Sequence, residues 1–466
     1  MNAAATISAQ FKRLPEWPSC TGPCYTSFPS ADRFVEAFSV REYTQALRQR
    51  HSGSRSLGRP MALSVHIPFC ETQCYFCAAN AVITRQRGRI STYLKHLTRE
   101  VALHTAVLGV GQAVNQLHLG GGTPTFLNDA ELGELMGMLR RNFKFLPSGD
   151  YTIEIDPRSV NAARLDVLST LGFNRLSLGV QDLDPVVQKA VHRIQPAHQV
   201  AQLFEQARQR GFLSINVDLM QGLPHQSPAS FQRTLTAVLS WRPDRISLYA
   251  YEHQPAYFKP QRHIIAATLP RDAAKQAMYS NAVLALQEAG YILVGMDHFA
   301  LPTDALAIAK RQGRLNRNLQ GFSPQPDCDS IGLGPSARSR IGACYSQNAK
   351  TLDAYADRLN QGLFPVVSGI ALTRDDLIRR AVIMALMCQG EVLFESIELG
   401  YLIDFHHYFA AELALLRPLI SEGWVTVDQA GIEVSESGLH RVRAVAMVFD
   451  RYLQADRTRA QFSKVI

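Results

Sequence analysis

Three cysteines close together near residue 70 have the spacing of an iron–sulfur ligand set. Cys70, Cys74 and Cys77 follow the pattern CxxxCxxC, and residues 78–80 add no further cysteine or histidine. Three thiolates in one loop can hold a single cluster, and a four-iron cluster bound this way keeps one iron open to a small molecule. Zinc is the alternative, but a structural zinc site usually has four protein ligands. The spacing therefore favours an iron–sulfur cluster.

The other cysteines give weaker signals. Cys20 and Cys24 repeat the CxxxC spacing, but they lie between prolines without a third thiol, so we expect no metal site there. Cys388 lies in the apolar helical run AVIMALMC and is expected in the core. Cys328 and Cys344 receive no role.

Apolar runs and helical segments alternate from residue 63 onward, and this alternation must position the cysteines. Six repeats of strand and helix predict an α/β fold with a parallel sheet. No glycine-rich dinucleotide fingerprint follows the first strand, so a partial TIM-like (β/α) barrel is favoured over a doubly wound domain. The predicted strands are Leu63–Ile67, Val114–Leu119, Tyr151–Ile155, Arg175–Gly179, Ser214–Leu219 and Arg245–Tyr249. The predicted helices between them are Thr92–Val107, Asp129–Asn142, Ala162–Leu171, Gln199–Arg210 and Pro228–Trp241.

Polar or glycine-rich segments lie at the end of every predicted strand. A (β/α) barrel carries its chemistry at the carboxyl ends of its strands, so we expect these segments to meet at one rim. In chain order they are Cys70–Cys77, Gly120–Thr125, Glu154 with Asp156, Gln181–Asp182, Asp218 and Tyr251–His253.

The chain divides into four predicted regions. Residues 1–60 read as an N-terminal arm, and residues 61–300 form the barrel. Residues 301–370 are interpreted as a loop-rich connection. Residues 371–466 are predicted to form a mostly helical, winged-helix-like C-terminal domain, because two short strands follow its helices.

The composition indicates a folded protein whose net positive charge is compatible with an anionic ligand. Hydrophobic residues make up 46% and charged residues 19% of the chain, which excludes a disordered protein. The net charge is +8, from 48 Lys and Arg against 40 Asp and Glu. This mild excess suits a polyanionic small molecule. Neither a membrane span nor a secretion signal is found, so we expect a cytoplasmic protein with no membrane or nucleic-acid partner.

Several motifs together carry a resemblance to a known family. The cysteine segment resembles that of radical S-adenosylmethionine (SAM) enzymes, and the full set is similar to the oxygen-independent coproporphyrinogen III oxidases. The motifs are YTSFP (25–29), VHIPFCETQCYFC (65–77), QLHLGGGTPT (116–125), EIDPR (154–158), FNRLSLGVQD (173–182), GMDHFA (295–300), LTRDDLIRR (372–380) and the terminal QFSKVI.

The resemblance implies a cofactor set and a reaction. It implies that Cys70, Cys74 and Cys77 hold a [4Fe–4S] cluster, that one or two SAM molecules bind beside it, and that the enzyme is an oxidoreductase of haem biosynthesis. The radical formed from SAM takes a hydrogen from a propionate of coproporphyrinogen III, and loss of CO₂ and one electron leaves a vinyl group. Two rounds give protoporphyrinogen IX. An electron-donor protein and a monomeric state are also expected.

The resemblance also assigns cofactor-binding residues, each with a simpler alternative. The glycines could serve only to form a tight turn, Arg193 could lie on a helix surface, and the Phe76 ring could simply pack within its loop. The residues that match SAM-binding positions are Phe76, Gly121, Gly122, Thr123, Glu154, Gln181, Arg193 and Asp218. A substrate with four propionates also needs Arg or Lys donors, for which Arg193 and Arg338 are candidates.

The sequence departs from the family pattern at five positions. Ala79 stands where a fourth cysteine is common, Ser64 where tyrosine is usual, and Cys24 where arginine is usual. Glu252 and Arg338 replace small or apolar residues at SAM-pocket positions. Two alternatives therefore accompany the main interpretation: a diverged radical SAM paralogue acting on another tetrapyrrole, and a haem-binding chaperone.

Overall fold

An open twelve-stranded sheet is the central element of the computed structural model, which describes residues 22–52 and 59–455. Cys20 and the terminal motif QFSKVI lie outside these residues. Six neighbouring strands at the centre of the sheet run parallel. They are β1 (Met61–Ile67), β2 (Gln112–Gly121), β3 (Phe143–Ile155), β4 (Arg175–Gln181), β5 (Ser214–Gln221) and β6 (Arg245–Ala250). These strands confirm the predicted alternation and the α/β class.

Helices connect the parallel strands, as the sequence predicts. A capping box of Asn128 and Glu131 begins one helix, and Ser227 with Ser230 begins another, so both start at the predicted residue. None of the helices within the described residues combines the length and hydropathy that a membrane crossing needs. The helices that follow β1 to β6 are Gly88–Leu108, Asp129–Asn142, Ala162–Thr170, Pro185–Ala190, Ala197–Gln209, Pro228–Trp241 and Asp272–Glu288.

Side-chain alternation separates the core from a polar interior. On β4 the side chains of Leu176 and Leu178 are buried, whereas Ser177 between them is half-buried. On β5, Val217 is buried and Asp218 is half-buried. Because successive strand residues point to opposite faces, the polar residues of neighbouring strands share the inner face of the partial barrel.

The structure differs from the sequence interpretation at residues 301–370, which are not mainly loop. Four of their strands extend the sheet beyond β1: Ser330–Leu333, Arg338–Ile341, Cys344–Asn348 and Val366–Ala371. The first of these pairs parallel with β1 and the others pair antiparallel. Strands of four to six residues are too short to show a clear alternation, which explains why the sequence reads as loop.

The same region also contains two helices and a hairpin. The helices are Ala305–Arg311 and Leu352–Asn360, and the hairpin strands are Asn316–Asn318 and Gly321–Ser323. At the opposite edge of the sheet, His298–Ala300 and Ile292–Gly295 pair antiparallel beyond β6. A short parallel pair, Phe69–Cys70 with Val82–Ile83, brackets the cysteine loop.

The N-terminal segment packs against the C-terminal region. Tyr25 and Phe28 are buried in the same cluster as the C-terminal apolar residues, and the Tyr25 hydroxyl donates to Asp450 at 3.0 Å. The strands Val425–Val427 and Gly431–Val434 form the expected hairpin, with Glu391–Leu393 beside it. The helices outside the barrel are Val40–Ser52, Arg374–Gln389, Phe394–Tyr401, Phe405–Tyr408, Ala410–Leu415, Arg417–Ser421, Glu436–Leu439, Val442–Val448 and Arg451–Ala455.

A buried glutamate fixes the turn that follows the strand Ser330–Leu333. Glu100 is fully buried and accepts hydrogen bonds from the Gly334 amide at 2.8 Å, the Asn348 side chain at 2.7 Å and the Tyr355 hydroxyl at 2.6 Å. Burial raises the pKa of Glu100 to about 7, although all three donors oppose that rise. The glutamate thus holds two distant segments of the extended sheet edge together.

Replacing Glu100 with alanine should destabilise the protein strongly. The change leaves the Gly334 amide and the Tyr355 hydroxyl without an acceptor, and the Asn348 amide keeps only the Gly334 carbonyl; a buried donor left unsatisfied costs ~1–3 kcal/mol, so the loss should be several kcal/mol. Glu100→Gln keeps the volume and one acceptor oxygen, so it should lose less. The unfolding midpoint in urea measures both variants, and an alanine variant as stable as the parent chain would contradict this account.

Candidate active site

The register of the parallel strands brings the predicted residues to one rim. Ile67 of β1 lies opposite Gly121 of β2, and Gly179 of β4 lies opposite Asp218 of β5. A cavity of about 170 Å³ opens at this rim. All the predicted site residues except Gly121 line it: Cys70, Cys74, Phe76, Cys77, Gly122, Thr123, Glu154, Gln181, Arg193 and Asp218. Gly121 lines the adjoining cavity described below.

Each of the three cysteine sulfurs has a hydrogen-bond partner. Cys70 Sγ lies 3.3 Å from the Thr123 hydroxyl, and the Ala79 amide donates to Cys77 Sγ at 3.4 Å. Two guanidinium groups, of Arg158 and Arg193, donate to Cys74 Sγ at 3.7 and 3.5 Å. Hydrogen bonds to the sulfurs are a known means of tuning a thiolate-bound cluster, so this surrounding fits one.

The buried thiols retain their protons while no metal group is bound to them. Burial raises the pKa of Cys70 to about 11 and also raises that of Cys77. Both thiols are therefore protonated near neutral pH until a metal group displaces their protons. In the described part of the chain, no three Cys, His, Asp or Glu side chains are placed to hold a single metal ion. The three sulfurs instead surround a shared cavity.

Asp156 links the two arginines that face Cys74. Its carboxylate accepts from Arg158 Nη2 at 2.7 Å and from Arg193 Nη1 at 3.2 Å. Burial alone would raise the pKa of Asp156, but the two arginines lower it below its ordinary value. Arg193 also donates to the Gly179 carbonyl and is 8% exposed, so it is not a helix-surface residue.

Two polar atoms at the cavity lack partners within the described residues. Gln181 Oε1 and Arg193 Nε are buried without a hydrogen bond there. Gln181 also has a φ of 61°, the left-handed region that a non-glycine residue seldom adopts. A buried polar atom without a partner costs free energy, and a bound ligand would supply the missing hydrogen bond. The cavity therefore fits a polar cofactor such as SAM.

The glycine strip is required by the protein's own packing. A Cβ at Gly121, whose φ is 115°, would lie 2.5 Å from the His66 ring. A Cβ at Gly122 would lie 2.8 Å from the Phe69 carbonyl oxygen. Both glycines thus let the end of β2 approach the segment that leads to the cysteines. This close packing explains the glycines whether or not they also contact a ligand.

Glu154 lies where three cavities meet. It lines the cysteine-lined cavity, a polar cavity of about 200 Å³ inside the barrel and a larger cavity of about 720 Å³. Glu154 accepts from His118 Nε2 at 3.0 Å and from the Gly121 amide at 3.2 Å. Burial opposes its ionisation, but these two partners and His66 hold the pKa of Glu154 below its ordinary value.

Asp218 has the opposite electrostatic environment. It lines the cysteine-lined cavity and the interior cavity, and it accepts from Ser177 at 3.0 Å and Asn216 at 2.8 Å. Burial first, and then the charge of Glu154, raise the pKa of Asp218 to about 6. The rim thus carries two carboxylates whose pKa values are held low, Glu154 and Asp156, and a third, Asp218, whose pKa is raised to about 6.

The larger cavity, which we call the main cavity, brings three of the sequence departures together. Ser64, Ala79 and Arg338 all line it, beside Gly121 and Glu154. The fourth, Glu252, is half-buried at the end of β6 and is not part of its lining. Cys24, the fifth, lines a separate cavity next to the C-terminal region. The sequence does not reveal this grouping, because residues 64 and 338 are far apart in the chain and are brought together by strand pairing in the sheet.

The main cavity has a basic lining. Arg338 is half-buried, and within residues 22–52 and 59–455 its guanidinium forms no hydrogen bond or ion pair. Lys350 is exposed at the same cavity, with His66 and His118 further in. Glu154 is the acidic residue of the lining. A cavity with this charge suits an anionic ligand.

Three polar residues that line these cavities were not singled out by the sequence analysis. Arg158 was noted only as part of the motif EIDPR, and His118 only as part of QLHLGGGTPT. Their polar side chains at strand ends are the signal that could have found them, because the same reasoning selected Glu154. Lys350 gave no such signal, since it lies in a region that reads as loop.

Comparison with known proteins agrees with this geometry. The Radical SAM superfamily model matches residues 64–238, and the HemN C-terminal domain model matches residues 372–440. An oxygen-independent coproporphyrinogen III oxidase from Pseudomonas aeruginosa is 46% identical over 448 residues, which cover 96% of each chain. The protein of the same name from Synechocystis is 38% identical over 449 residues, or 95% of each chain.

A solved structure is also similar over almost the whole chain. The coproporphyrinogen III oxidase from Escherichia coli, described as a radical SAM enzyme, superimposes with a TM-score of 0.89 at 44% identity. The match covers 92% of the present chain and 98% of the other. The barrel and the C-terminal region are therefore both part of the likeness.

Proposed function

This chain belongs to the oxygen-independent coproporphyrinogen III oxidases, a family of radical SAM enzymes, and on that premise we propose that it converts coproporphyrinogen III to protoporphyrinogen IX without oxygen. In each of two rounds, a propionate group loses a hydrogen atom to the radical formed from SAM, then loses CO₂ and passes one electron to an acceptor, and so becomes a vinyl group. The observation that carries the proposal is the meeting of the cysteine-lined cavity and the main cavity at Glu154. Identity over the full length favours this function over a diverged paralogue or a haem-binding chaperone.

The cysteine-lined cavity is the proposed cofactor site. Cys70, Cys74 and Cys77 would hold the [4Fe–4S] cluster, and one or two SAM molecules would bind beside it. Together, the cluster and SAM supply the hydrogen-abstracting chemistry of the superfamily. The hydrogen-bond donors Thr123, Arg158 and Arg193 offset the negative charge of the thiolates.

The acidic side chains at the rim are the proposed partners of SAM. SAM carries an ammonium and a sulfonium group, and a buried carboxylate is the natural complement to both. Glu154 and Asp218 supply that charge, and Gln181 Oε1 supplies an unused acceptor. Phe76 lines the same cavity and offers an aromatic surface for the adenine.

The main cavity is the proposed substrate site. Its volume of about 720 Å³ and its basic lining suit a tetrapyrrole with four carboxylates. Of the two arginines considered from the sequence, Arg193 is already bound to Asp156, Gly179 and Cys74. Arg338 faces the main cavity without such partners, so we assign the propionate contact to Arg338.

Replacing Arg338 with alanine should weaken substrate binding. A hydrogen bond to a charged group contributes about 2 kcal/mol, which is roughly a 30-fold rise in KM for coproporphyrinogen III. Arg338→Lys should recover part of the loss because the charge remains. Arg340→Ala is the control, since Arg340 pairs with Asp327 and does not line the main cavity. A KM within twofold of the parent value in R338A would contradict the assignment.

The function itself is tested by product analysis. Protein reconstituted under nitrogen is incubated with coproporphyrinogen III, SAM and dithionite, and the tetrapyrrole mass is followed for the loss of two CO₂. We expect complete decarboxylation, with 5′-deoxyadenosine formed in parallel. A haem-binding chaperone would bind haem with little turnover of SAM, and a paralogue would cleave SAM and leave this substrate intact. Reduction by a protein donor and a monomeric state belong to the same proposal.

A further inference from the structure

An aromatic stack joins the cysteine loop to the protein surface. Tyr75, which directly follows Cys74, lies between the rings of His192 and His263, with centroid distances of 5.0 and 4.7 Å. His192 Nδ1 bonds to the Gln73 carbonyl at 2.8 Å, and its φ of 54° is in the left-handed region. Such a conformation persists only where surrounding contacts fix it. Both histidines are exposed.

The two chain segments that carry these histidines form a basic surface. We call it the basic face, defined as the exposed side chains of residues 185–198 and 257–271. These segments contain no aspartate or glutamate. Lys189, Arg262 and both stacking histidines are exposed on them. The second segment also contacts the cysteine loop directly, because Gln261 Nε2 donates to the Phe76 carbonyl at 3.2 Å.

Exposed apolar side chains lie on the same face. Val186 is 60% exposed, Ile194 is 64% exposed and Ile265 is 69% exposed. Val186 and Ile194 belong to the first segment and Ile265 to the second, and the two segments meet at the Tyr75 stack. Exposed apolar side chains on such a surface are a feature of protein interaction sites. Because the stack connects the face to the loop that would bind the cluster, the partner would sit close to that cluster.

We propose that the basic face docks an acidic electron-transfer protein that carries one electron on a flavin or an iron–sulfur group. The inference rests on the proposed function, since it assumes a cluster bound to Cys70, Cys74 and Cys77. In the step, the donor is oxidised by one electron and the cluster is reduced by one electron, with no proton or group transferred. Opposite charges would steer the encounter, and the small apolar group suits the small interface of a transient redox complex.

Charge reversal on the basic face tests this proposal. The double variant Lys189→Glu/Arg262→Glu is compared with Arg141→Glu/Lys144→Glu, which makes the same charge change at exposed residues near the amino end of β3. The probe is an acidic flavodoxin. Its affinity for each cluster-free chain is measured by titration at low and moderate salt, and cluster reduction by reduced flavodoxin is followed by stopped-flow absorbance. Dithionite is the parallel reductant, because a small molecule needs no docking face.

We expect the K189E/R262E variant to bind flavodoxin at least ten times more weakly at low salt, and the difference to shrink as salt screens the charges. Its cluster reduction by flavodoxin should slow correspondingly, while reduction by dithionite is unchanged. Flavodoxin binding within twofold of the parent and control chains would overturn the proposal. Single-stranded RNA is titrated in parallel, and a variant that bound flavodoxin normally but lost affinity for RNA would overturn the proposal in favour of a polyanion site. Failure of dithionite to support SAM cleavage in the parent chain would refute the proposed function rather than the docking face.

Discussion

Replacing Cys70, Cys74 or Cys77 with alanine should abolish the broad visible absorption of the [4Fe–4S] cluster and lower SAM cleavage at least about a thousandfold. Three thiolates are the minimum ligand set for a cluster with one open iron, and the proposed chemistry depends wholly on that cofactor. Iron content, absorbance and 5′-deoxyadenosine formation are measured on protein reconstituted under nitrogen.

A matched control separates this loss from general damage. Cys344→Ala removes a thiol from the strand Cys344–Asn348, where Sγ donates to the Ile341 carbonyl and lies far along the sheet from the cysteine loop. This variant should keep its iron and its activity. A triple variant of the loop cysteines that retained about four irons per chain would show that the cluster is bound elsewhere.

The parallel core could be predicted from the sequence because its signals are local. Each buried strand is a run of apolar residues, and each helix begins at a recognisable cap. The helix Asp129–Asn142 begins at a capping box formed by Asn128 and Glu131, and so its first residue matches the prediction. Local spacing also singled out the three cysteines, and the structure brings them to one cavity; their role as cluster ligands stays a prediction.

The extended sheet edge could not be predicted because its strands depend on long-range pairing. The strand Ser330–Leu333 is four residues long and wholly buried, so it shows no alternation. It is a strand because it pairs with β1, where Ser64 lies opposite Gly332. That pairing also brings Arg338 to the main cavity, and so the sequence could suggest Arg338 by resemblance but could not place it beside Ser64.

The polar contacts of the site were hidden for the same reason. Arg193 could be read as a helix-surface residue, because nothing in its neighbours reveals the distant Asp156 and Cys74 that it contacts. The glycine strip could be read as ligand-contacting, yet its close neighbours include His66 and the Phe69 backbone. Spacing predicts which residues reach a rim, whereas tertiary contacts decide what each one does there.

Replacing Glu154 with glutamine should weaken SAM binding about 30-fold. Loss of a charge-assisted hydrogen bond to a cation costs ~2 kcal/mol at a partly exposed carboxylate, and the pKa of Glu154 is held low, so it is ionised at neutral pH. Equilibrium dialysis with labelled SAM on cluster-loaded protein measures the effect. Glu134→Gln, an exposed substitution, is the control. A loss of less than threefold in E154Q would remove Glu154 from the SAM site.

Replacing Asp218 with asparagine should weaken SAM binding while stabilising the fold. The pKa of Asp218 is about 6 in the folded protein against its ordinary value of 3.8, so ionisation costs stability as pH rises from about 4 to 6, and the full cost is present above that range. After allowance for partial exposure, asparagine should gain about 2 kcal/mol at pH 7.5 and almost nothing at pH 4. The free energy of unfolding in urea at the two pH values measures this gain. A gain independent of pH would show that the ionisation of Asp218 does not destabilise the folded protein. A pH-dependent gain in stability together with weaker SAM binding would show that Asp218 serves the ligand at the expense of the stability of the fold.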